Sequence, residues 1–264
     1  MGKSNVIDWG ADRLRISPWR GDPEIAYLAP SPGRPPRAAA IESCVRGLRA
    51  QGYRAALTAA LGSAEQGPFL EAGFHIYEHL HLLRHDLHAV PNVSAPAGAL
   101  GHRLRRGRRR DQPTVLQVDG LAFDTFWRFD ALGLADARSA TPTARFRVAD
   151  VAGLGVAAYA ICGRAGSIGY LQRLAVHPAA QGNGIGAALV VDALRWSRAR
   201  GASSVMVNTQ EENHAALRLY QRLGFQQETA GLAVLELPLD VPAEANDGER
   251  TVTPDGAGRQ PGRR

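Results

Sequence analysis

The sequence predicts an α/β protein, with a mixed β-sheet that carries helices on both faces. Three observations indicate this class. Apolar strand-like segments alternate with helical patterns, a helix–strand–helix–strand order occurs twice, and one strand leads into a helix through the glycine-rich run Gln181 to Gly186. We therefore expect a complete domain at residues 100–240 and a partial copy of its second half at residues 1–88, joined by a linker at residues 89–99.

The elements of the complete domain follow from the spacing of its apolar residues. Residues 101–108 are expected to form the first strand, and residues 112–133 the first helices. Residues 155–162 are almost entirely apolar, as a fully buried strand should be. The other expected elements are strands at 144–151, 167–176, 203–209 and 226–239, and helices at 187–200 and 213–223, the second closed by Gly224-Phe225.

The first part of the chain repeats the second half of this pattern. Residues 37–51 have helical periodicity and end at Gly52, and they are followed by an expected strand at 53–61, a short helix at 65–72 and a strand at 75–87. Gly73-Phe74 closes the short helix as Gly224-Phe225 closes the later one. The alternative is that an α/β chain repeats helix and strand by chance. A degenerate copy would shape the substrate side of the complete domain without catalysing.

Composition excludes several classes of protein. The chain has 264 residues, of which 45% are hydrophobic, but no run of apolar residues is long enough for a transmembrane helix. The first residues lack the apolar core of a signal peptide, so we expect a cytoplasmic protein. Cys44 and Cys162 have no metal-binding spacing and are expected to be small buried residues, and no metal is expected. Residues 241–264 are rich in Gly, Pro and charge, which predicts a disordered tail.

The net charge of +6 is concentrated locally. Residues 102–110 contain six arginines, which could form a patch for nucleic acid or ribosome. No aromatic residues are interleaved for base stacking. The sequence therefore favours a solvated strand and turn with Leu104 pointing inward, and nucleic-acid binding is not expected.

The glycine-rich run is the most informative stretch. Gly182, Gly184 and Gly186 stand between a strand and a helix, so their backbone N–H groups are expected to be uncovered next to the positive end of the helix dipole. Such a corner binds phosphate. The glycines alternate, whereas a dinucleotide fingerprint needs Gly-x-Gly-x-x-Gly and an acid at the next strand end, where this chain has Asn208-Thr209.

Together with a later segment, this run resembles the GCN5-related N-acetyltransferase (GNAT) family. The family pattern Gln/Arg-x-x-Gly-x-Gly/Ala, which holds the pyrophosphate of acetyl-coenzyme A, is matched here by Gln181, Gly184 and Gly186. The family's later helix is matched by Asn213, Ala216 and Tyr220, followed by Gly224-Phe225. The resemblance implies the GNAT fold for residues 100–240. The first half resembles a degenerate GNAT copy, and two-copy relatives include mycothiol-forming acetyltransferases, which this chain resembles in plan but not in length.

The resemblance also implies roles for individual residues. Acetyl-coenzyme A, as co-substrate, would contact the strand edge, the glycine run and the last helix; the implied residues are Leu174, Ala175, Val176, Gln181, Gly182, Asn183, Gly184, Ile185, Gly186, Ala187 and Asn213. Tyr220 is the implied general acid that protonates the leaving thiolate. Its alternative is a half-buried packing residue.

No catalytic base can be named. The positions where many relatives carry a Glu offer Gln172 and Asn208, neither of which accepts a proton in the required way. Glu211 and Glu212 lie just before a helix, where acids are common for dipole reasons, and His177 before Pro is usually structural. A water chain is the remaining possibility.

The expected function is transfer of an acetyl group from acetyl-coenzyme A to a primary amine, either a protein N-terminus or a small molecule. Near the substrate, Trp127 with Arg128 and Asp130 suggests an amphipathic wall, and Phe123 is expected to pack. A ribosomal or other protein substrate is possible, and no membrane partner is expected. The alternative function is a non-catalytic acyl-coenzyme A sensor or interaction module.

Overall fold

The computed structural model describes residues 5–9, 12–30 and 36–239, and their side chains from Leu14 onward. The predicted disordered tail at 241–264 lies outside these residues. Thirteen strands in the described part form one mixed sheet with six α-helices around it. The predicted fold class, an α/β protein with a mixed sheet, is confirmed.

The elements of the first half are three strands followed by a helix–strand–helix–strand unit. The strands are β1 (Asn5–Trp9), β2 (Asp12–Trp19), β3 (Asp22–Pro30), β4 (Ala55–Thr58), β5 (Leu61–Gly62) and β6 (His75–His85), and the helices are α1 (Ala38–Ala50) and α2 (Ser63–Glu71).

The second half begins with a strand at the edge of the sheet and ends with one at its centre. Its strands are β7 (His102–Arg106), β8 (Thr143–Val151), β9 (Gly155–Ala165), β10 (Ile168–Val176), β11 (Ser204–Gln210), β12 (Gln226–Gln227) and β13 (Leu232–Pro238). Its helices are α3 (Gln112–Ala122), α4 (Ala131–Ser139), α5 (Ile185–Ala199) and α6 (His214–Arg222).

Several expected elements are divided in the structure. The strand expected at 53–61 is β4 and β5 with a break at residues 59–60, and the strand expected at 226–239 is β12 and β13 separated by a turn. No element was expected before residue 37, yet β1, β2 and β3 lie there. The alternation of Leu14 and Ile16 with polar residues, and the turn signal Gly21-Asp22, could have predicted β2 and β3.

The two halves exchange strands in the middle of the sheet. The order is β1-β2-β3-β4-β13-β6-β11-β10-β9-β8-β7, so the last long strand of each half pairs with the other half. Leu83 of β6 is fully buried in the core around α5, and Leu235 of β13 is fully buried in the core around α1. The domain boundaries expected near residues 88 and 100 remain a prediction. Strands from both sides of these boundaries pair with each other in one sheet.

The halves also match in strand direction, which supports the interpretation of a half-repeat. β3 pairs antiparallel with β2 and parallel with β4, as β10 pairs antiparallel with β9 and parallel with β11. Gly73 and Gly224 have φ angles of +92° and +90°. The N–H groups of the phenylalanines that follow donate to Phe69 O and Tyr220 O, each at 3.0 Å.

Phe69 therefore stands in the first half where Tyr220 stands in the second. The helix α2 reaches the position, but the residue there is a fully buried phenylalanine that packs edge-on against Phe74. The first copy thus keeps the packing role of this aromatic residue without a hydroxyl group.

The two cysteines are buried like small apolar residues, and the arginine-rich strand β7 is an edge strand. Cys44 and Cys162 are buried in separate cores. Leu104 of β7 packs on the core of the second half. Arg105 pairs with Asp111 at 2.7 Å and with Asp150 at 2.6 Å, which raises the pKa of its guanidinium. None of the helices in the described ranges is both long and apolar enough to cross a bilayer.

Removing residues 1–97 should prevent cooperative folding of the remaining chain, because β11 would lose β6 and β13 would lose both neighbours. A strand that loses its partners exposes its backbone N–H and C=O groups to aggregation. Near-ultraviolet circular dichroism during thermal unfolding checks this, with the full chain as control. A cooperative transition near that of the full chain would contradict the expectation.

Candidate active site

The site begins where two parallel strands separate. β10 and β11 pair only over Ile168–Tyr170 and Ser204–Met206. On its other side β10 pairs with β9 as far as Val176, with a bulge at Gln172 between Leu171 and Arg173. A bulge adds one residue to a strand and bends it. The edge of β10 that faces β11 is therefore unpaired beyond Tyr170, over the stretch that includes the predicted contact residues Leu174, Ala175 and Val176.

The glycine run lies at the end of this edge. Gly182 and Gly184 have φ angles of +78° and +76°, a region that favours glycine, and Gly184 is the N-cap of α5. In the part of the chain that the structure describes, the backbone N–H groups of residues 182–187 donate to no acceptor. A row of unused donors at a helix N-terminus is a phosphate-binding arrangement.

Side chains hold the run in shape. Gln181 donates from Nε2 to Val176 O at 3.2 Å, and Asn183 donates from Nδ2 to Gln181 O at 2.9 Å. Asn183 also accepts the backbone N–H of Leu100 at 2.9 Å. The linker therefore docks on the run, and a Cβ at Gly184 would lie 3.0 Å from Pro96 Cδ. Gln181 and Asn183 are thus placed as structural supports of the loop, with their side chains already engaged.

A cavity of about 500 Å³ opens between the separated strands and the first half of the chain. Of the predicted site residues, Leu174, Asn213 and Tyr220 line it, while the glycine run lies outside its lining. Gly186 connects the two regions, because a Cβ there would contact Leu219 of α6 and Val176 of β10 at 3.5 and 3.6 Å. A ligand that binds the run can therefore continue along β10 into the cavity.

Asn213 and Tyr220 are both presented by α6. The Asn213 side chain caps the helix, accepting the Ala216 N–H at 3.0 Å, as expected. Tyr220 is 5% exposed and packs against Phe225. Burial raises the pKa of Tyr220, and the positive charge of Arg173 opposes that rise. Its hydroxyl has no hydrogen-bond partner among the described residues, although it faces the cavity. The phenol therefore stays protonated over the physiological range.

A buried ion pair forms one wall of the cavity. Arg173 on β10 donates from Nε and Nη2 to the fully buried carboxylate of Asp119, both at 2.8 Å. Asp119 also accepts from the hydroxyl of Tyr159 at 2.5 Å and from the N–H of Phe129 at 2.6 Å. The guanidinium of Arg173 lies 3.4 Å from the ring centroid of Phe123. This network joins α3 to β9, β10 and the aromatic segment after α3.

The aromatic segment after α3 and the β2–β3 hairpin meet beside this ion pair, where Trp127 O accepts from Arg173 Nη2 at 2.7 Å. Trp127 lines the cavity and donates from Nε1 to Glu78 at 2.9 Å. Trp19 from β2 packs edge-on against it, with ring centroids 6.1 Å apart. Phe123 both packs and lines the cavity. Arg128 and Asp130, expected with Trp127 in one wall, are not in the lining: Arg128 bonds Phe123 O and Asp130 caps α4.

The structure also locates the groups considered as bases. Gln172 and Asn208 line the cavity, and the Oε1 atom of Gln172 is buried without a hydrogen-bond partner. Glu211 and Glu212 line a separate shallow depression. His177 accepts the N–H of Ala179 through Nδ1, a structural role. The carboxylate in the cavity lining is Asp136, and burial raises its pKa.

Sequence reasoning missed Asp119, Arg173 and the whole contribution of the hairpin. The sequence does not show that a carboxylate in α3 is buried, because its partner Arg173 is 54 residues away. Arg173 itself lies in a strand that carries no motif for a charged residue. Arg15, Trp19, Arg20 and Tyr27 reach the cavity from strands that were not predicted. The period-two pattern of β2 would have predicted the strand, but not that the first half of the chain closes over the site.

The mixed sheet, the separated parallel strands and the row of free N–H groups together form the candidate site. Residues 115–225 match the model of the Acetyltransferase (GNAT) family. The resemblance seen in the sequence is thereby confirmed. Enzymes of this family generally use acetyl-coenzyme A as co-substrate.

Solved structures share the fold across nearly the whole chain. A GCN5-related N-acetyltransferase from Kribbella flavida superposes with a TM-score of 0.61 at 16% identity, covering 89% of this chain and 90% of that one. A tandem GNAT protein from the clavulanic acid biosynthesis pathway has a TM-score of 0.59 at 16% identity, covering 88% and 80%. At these identities the likeness shows the fold alone, and it is consistent with a two-copy arrangement.

Curated relatives match shorter stretches. A mycothiol acetyltransferase from Thermomonospora curvata is 34% identical over 141 residues, covering 52% of this chain and 47% of the relative. Another from Parafrankia sp. is 44% identical over 71 residues, covering 27% and 22%. The matches thus cover less than half of these relatives' length.

Replacing Asp119 by Asn should lower the free energy of unfolding by about 3–5 kcal/mol, the usual consequence of leaving a buried partner charge uncompensated. Asp150→Asn is the matched control, since Asp150 pairs with Arg105 in a more exposed position and a loss of about 1 kcal/mol or less is expected. Urea denaturation of both variants measures the difference. Equal losses would show that the Asp119–Arg173 pair has no special role in stability.

Proposed function

We propose that this chain transfers an acetyl group from acetyl-coenzyme A directly to a primary amine, of a protein N-terminus or a small molecule. The observation that carries the proposal is the continuity of three features: free N–H groups at residues 182–187, an unpaired edge of β10, and a cavity that contains Tyr220. Each suits one part of the co-substrate, namely its phosphates, its amide-containing arm and its thioester.

The free N–H groups of residues 182–187 would hold the pyrophosphate, with Gln181 and Asn183 keeping the loop in shape. The arm of the co-substrate contains amides, so it can pair with the open edge at Leu174, Ala175 and Val176 as a further strand would. Asn213 and Ala216 line the cavity on the opposite side. If acetyl-coenzyme A extends from the glycine run along β10 into the cavity, its thioester lies near Tyr220.

The chemistry requires that the amine nitrogen attack the thioester carbonyl, forming a C–N bond as the C–S bond breaks. A backbone N–H on the open edge of β10 can stabilise the developing oxyanion. Tyr220, protonated because of its burial, can donate its proton to the leaving thiolate. The amine loses one proton, so the proton balance closes when that proton returns to Tyr220 or to solvent.

The acceptor amine is the least defined part. The mycothiol acetyltransferase relatives make an amino-sugar thiol conjugate one candidate, but they match only part of their own length. The alternative function is a non-catalytic acyl-coenzyme A sensor. Tyr220, with its free hydroxyl facing the cavity, favours the enzyme, because a sensor needs no proton donor at that place.

Gly186→Pro should weaken binding of acetyl-coenzyme A by about 10- to 100-fold, because it removes one N–H donor of a charge-assisted hydrogen bond. Proline is tolerated in the first turn of a helix, and the N–H of Gly186 has no internal partner to lose. Gly186→Ala keeps that N–H and places its Cβ in ordinary contact distances, so it is the matched control. Calorimetric titration measures both.

Unchanged affinity in a folded Gly186→Pro variant would contradict the phosphate site. The same titration should give one co-substrate per chain, since the sequence before α1 lacks the glycine run. A stoichiometry of two would show that the first half also binds.

Tyr220→Phe should reduce turnover by about 100-fold or more, the usual scale for losing a general acid. Affinity for acetyl-coenzyme A should barely change, and so should thermal stability, because the hydroxyl has no partner among the described residues. Since the pKa of Tyr220 is raised, its protonated form persists as pH rises, and wild-type turnover should not fall between about pH 6 and pH 9 through loss of this proton. Steady-state rates of the wild type and of Tyr220→Phe, measured where chemistry is rate-limiting, test this role. Equal turnover of the two proteins would support the sensor alternative.

A further inference from the structure

The cavity contains a positively charged side chain that the proposed chemistry does not use. Arg20 lines it from the turn between β2 and β3, 4.3 Å from the ring centroid of Trp19 and 5.0 Å from that of Trp127. Its one hydrogen bond is a long contact of 3.4 Å to Arg128 O. Among the described residues Arg20 forms no ion pair, although it is partly buried.

The other charges of the lining are balanced differently. Arg173 is neutralised by its bidentate pair with Asp119. Burial raises the pKa of Asp136, and the positive charge of Arg15 partly opposes that rise. Asp130 caps α4. Burial, and then the charge of Arg173, lower the pKa of Arg20 to about 10, while Asp119, Tyr27 and Asp130 oppose the lowering. At neutral pH Arg20 therefore carries a guanidinium charge that forms no ion pair among the described residues.

The backbone places Arg20 at a position that arginine does not favour. Arg20 and Gly21 have φ angles of +46° and +85°, as in a hairpin turn whose two central residues favour Asn, Asp or Gly. A non-glycine residue in this region is strained, and such strain is concentrated at binding and catalytic sites. The turn is also tight, because a Cβ at Gly21 would lie 2.9 Å from Asp130 Oδ2. The strained turn directs the guanidinium into the cavity.

A buried guanidinium without a counter-ion is unfavourable unless a ligand supplies the negative charge. Arg173, Tyr220 and Arg20 all line the cavity, and the charge of Arg173 acts on the pKa of both of the others. We infer that the acceptor is an amine that also carries a carboxylate or phosphate group, and that Arg20 binds this anion while the amine faces Tyr220. This inference rests on the proposed function for the amine, but the anion subsite does not depend on it.

The test uses pairs of amines that differ in charge. β-Alanine is compared with β-alaninamide, and O-phosphoethanolamine with ethanolamine, so that the two pairs distinguish carboxylate from phosphate recognition. The full-length protein is saturated with coenzyme A, which keeps the phosphate probe away from residues 182–187. Calorimetry and tryptophan fluorescence, with sodium chloride at matched ionic strength, measure binding; a thiol-release assay with acetyl-coenzyme A measures turnover.

In at least one pair the member with the anionic group should bind about 10- to 100-fold more tightly than the member without it, as expected for a charge-assisted hydrogen bond. Arg20→Gln should abolish this preference while leaving the affinity for coenzyme A and for the amines without an anionic group unchanged, and Arg20→Lys should retain part of the preference. Arg200→Gln is the control, because Arg200 also lies over a tryptophan ring, Trp196, but outside the cavity.

The inference would be overturned if the wild-type protein bound amines with and without the anionic group equally well. It would also be overturned if a folded Arg20→Gln variant kept the preference for the anionic group. If that variant does not fold, the wild-type comparison and Arg20→Lys still decide. Charged amines that bind through Arg20 without being acetylated would leave the anion subsite in place and contradict the proposed transfer reaction.

Discussion

The pairing of β6 with β13 at the centre of the sheet is the contact on which the rest of the structure depends. Each of these strands leaves its own half of the chain and pairs with the other half, so the two cores share one continuous hydrogen-bonded sheet. β11 then has β6 as its neighbour on one side, and is free to separate from β10 on the other. The cavity exists because that separation is closed from above by the first half.

The separation itself has a local cause. One extra residue, Gln172, bends β10 at the bulge, and the side chain of the next residue, Arg173, turns toward Asp119. The ion pair ties the bent strand to α3, while Phe123 and Phe129 cover the guanidinium with their rings. A bend in the backbone is thus stabilised by a buried charge network on one face. The opposite edge of the strand is left open for a ligand's amides.

The complete domain could be predicted well from sequence because its signals are local. Periodicity and glycine endings gave the order of its helices and strands, and the glycine run and Tyr220 were visible as motifs. The exchange of β6 and β13 could not be predicted. Apolar and polar residues alternate similarly in both strands, so either strand could pair with either half of the chain. The alternation of apolar and polar residues before residue 30 could have predicted the β2–β3 hairpin. Its contact with Trp127 could not be predicted, because it depends on how the two halves pack against each other.

The same docking explains what the degenerate half contributes. Phe69 occupies the place of Tyr220 and packs against Phe74, so the first half has the matching aromatic contact without a hydroxyl group. Its strand β2 and the following turn project Trp19 and Arg20 into the cavity. Trp19 contacts Phe126 and Trp127, so this wall of the cavity is made from both halves. Changes in this hairpin can therefore alter which acceptor fits while the residues proposed to hold the co-substrate, on β10, α5 and α6, keep their positions.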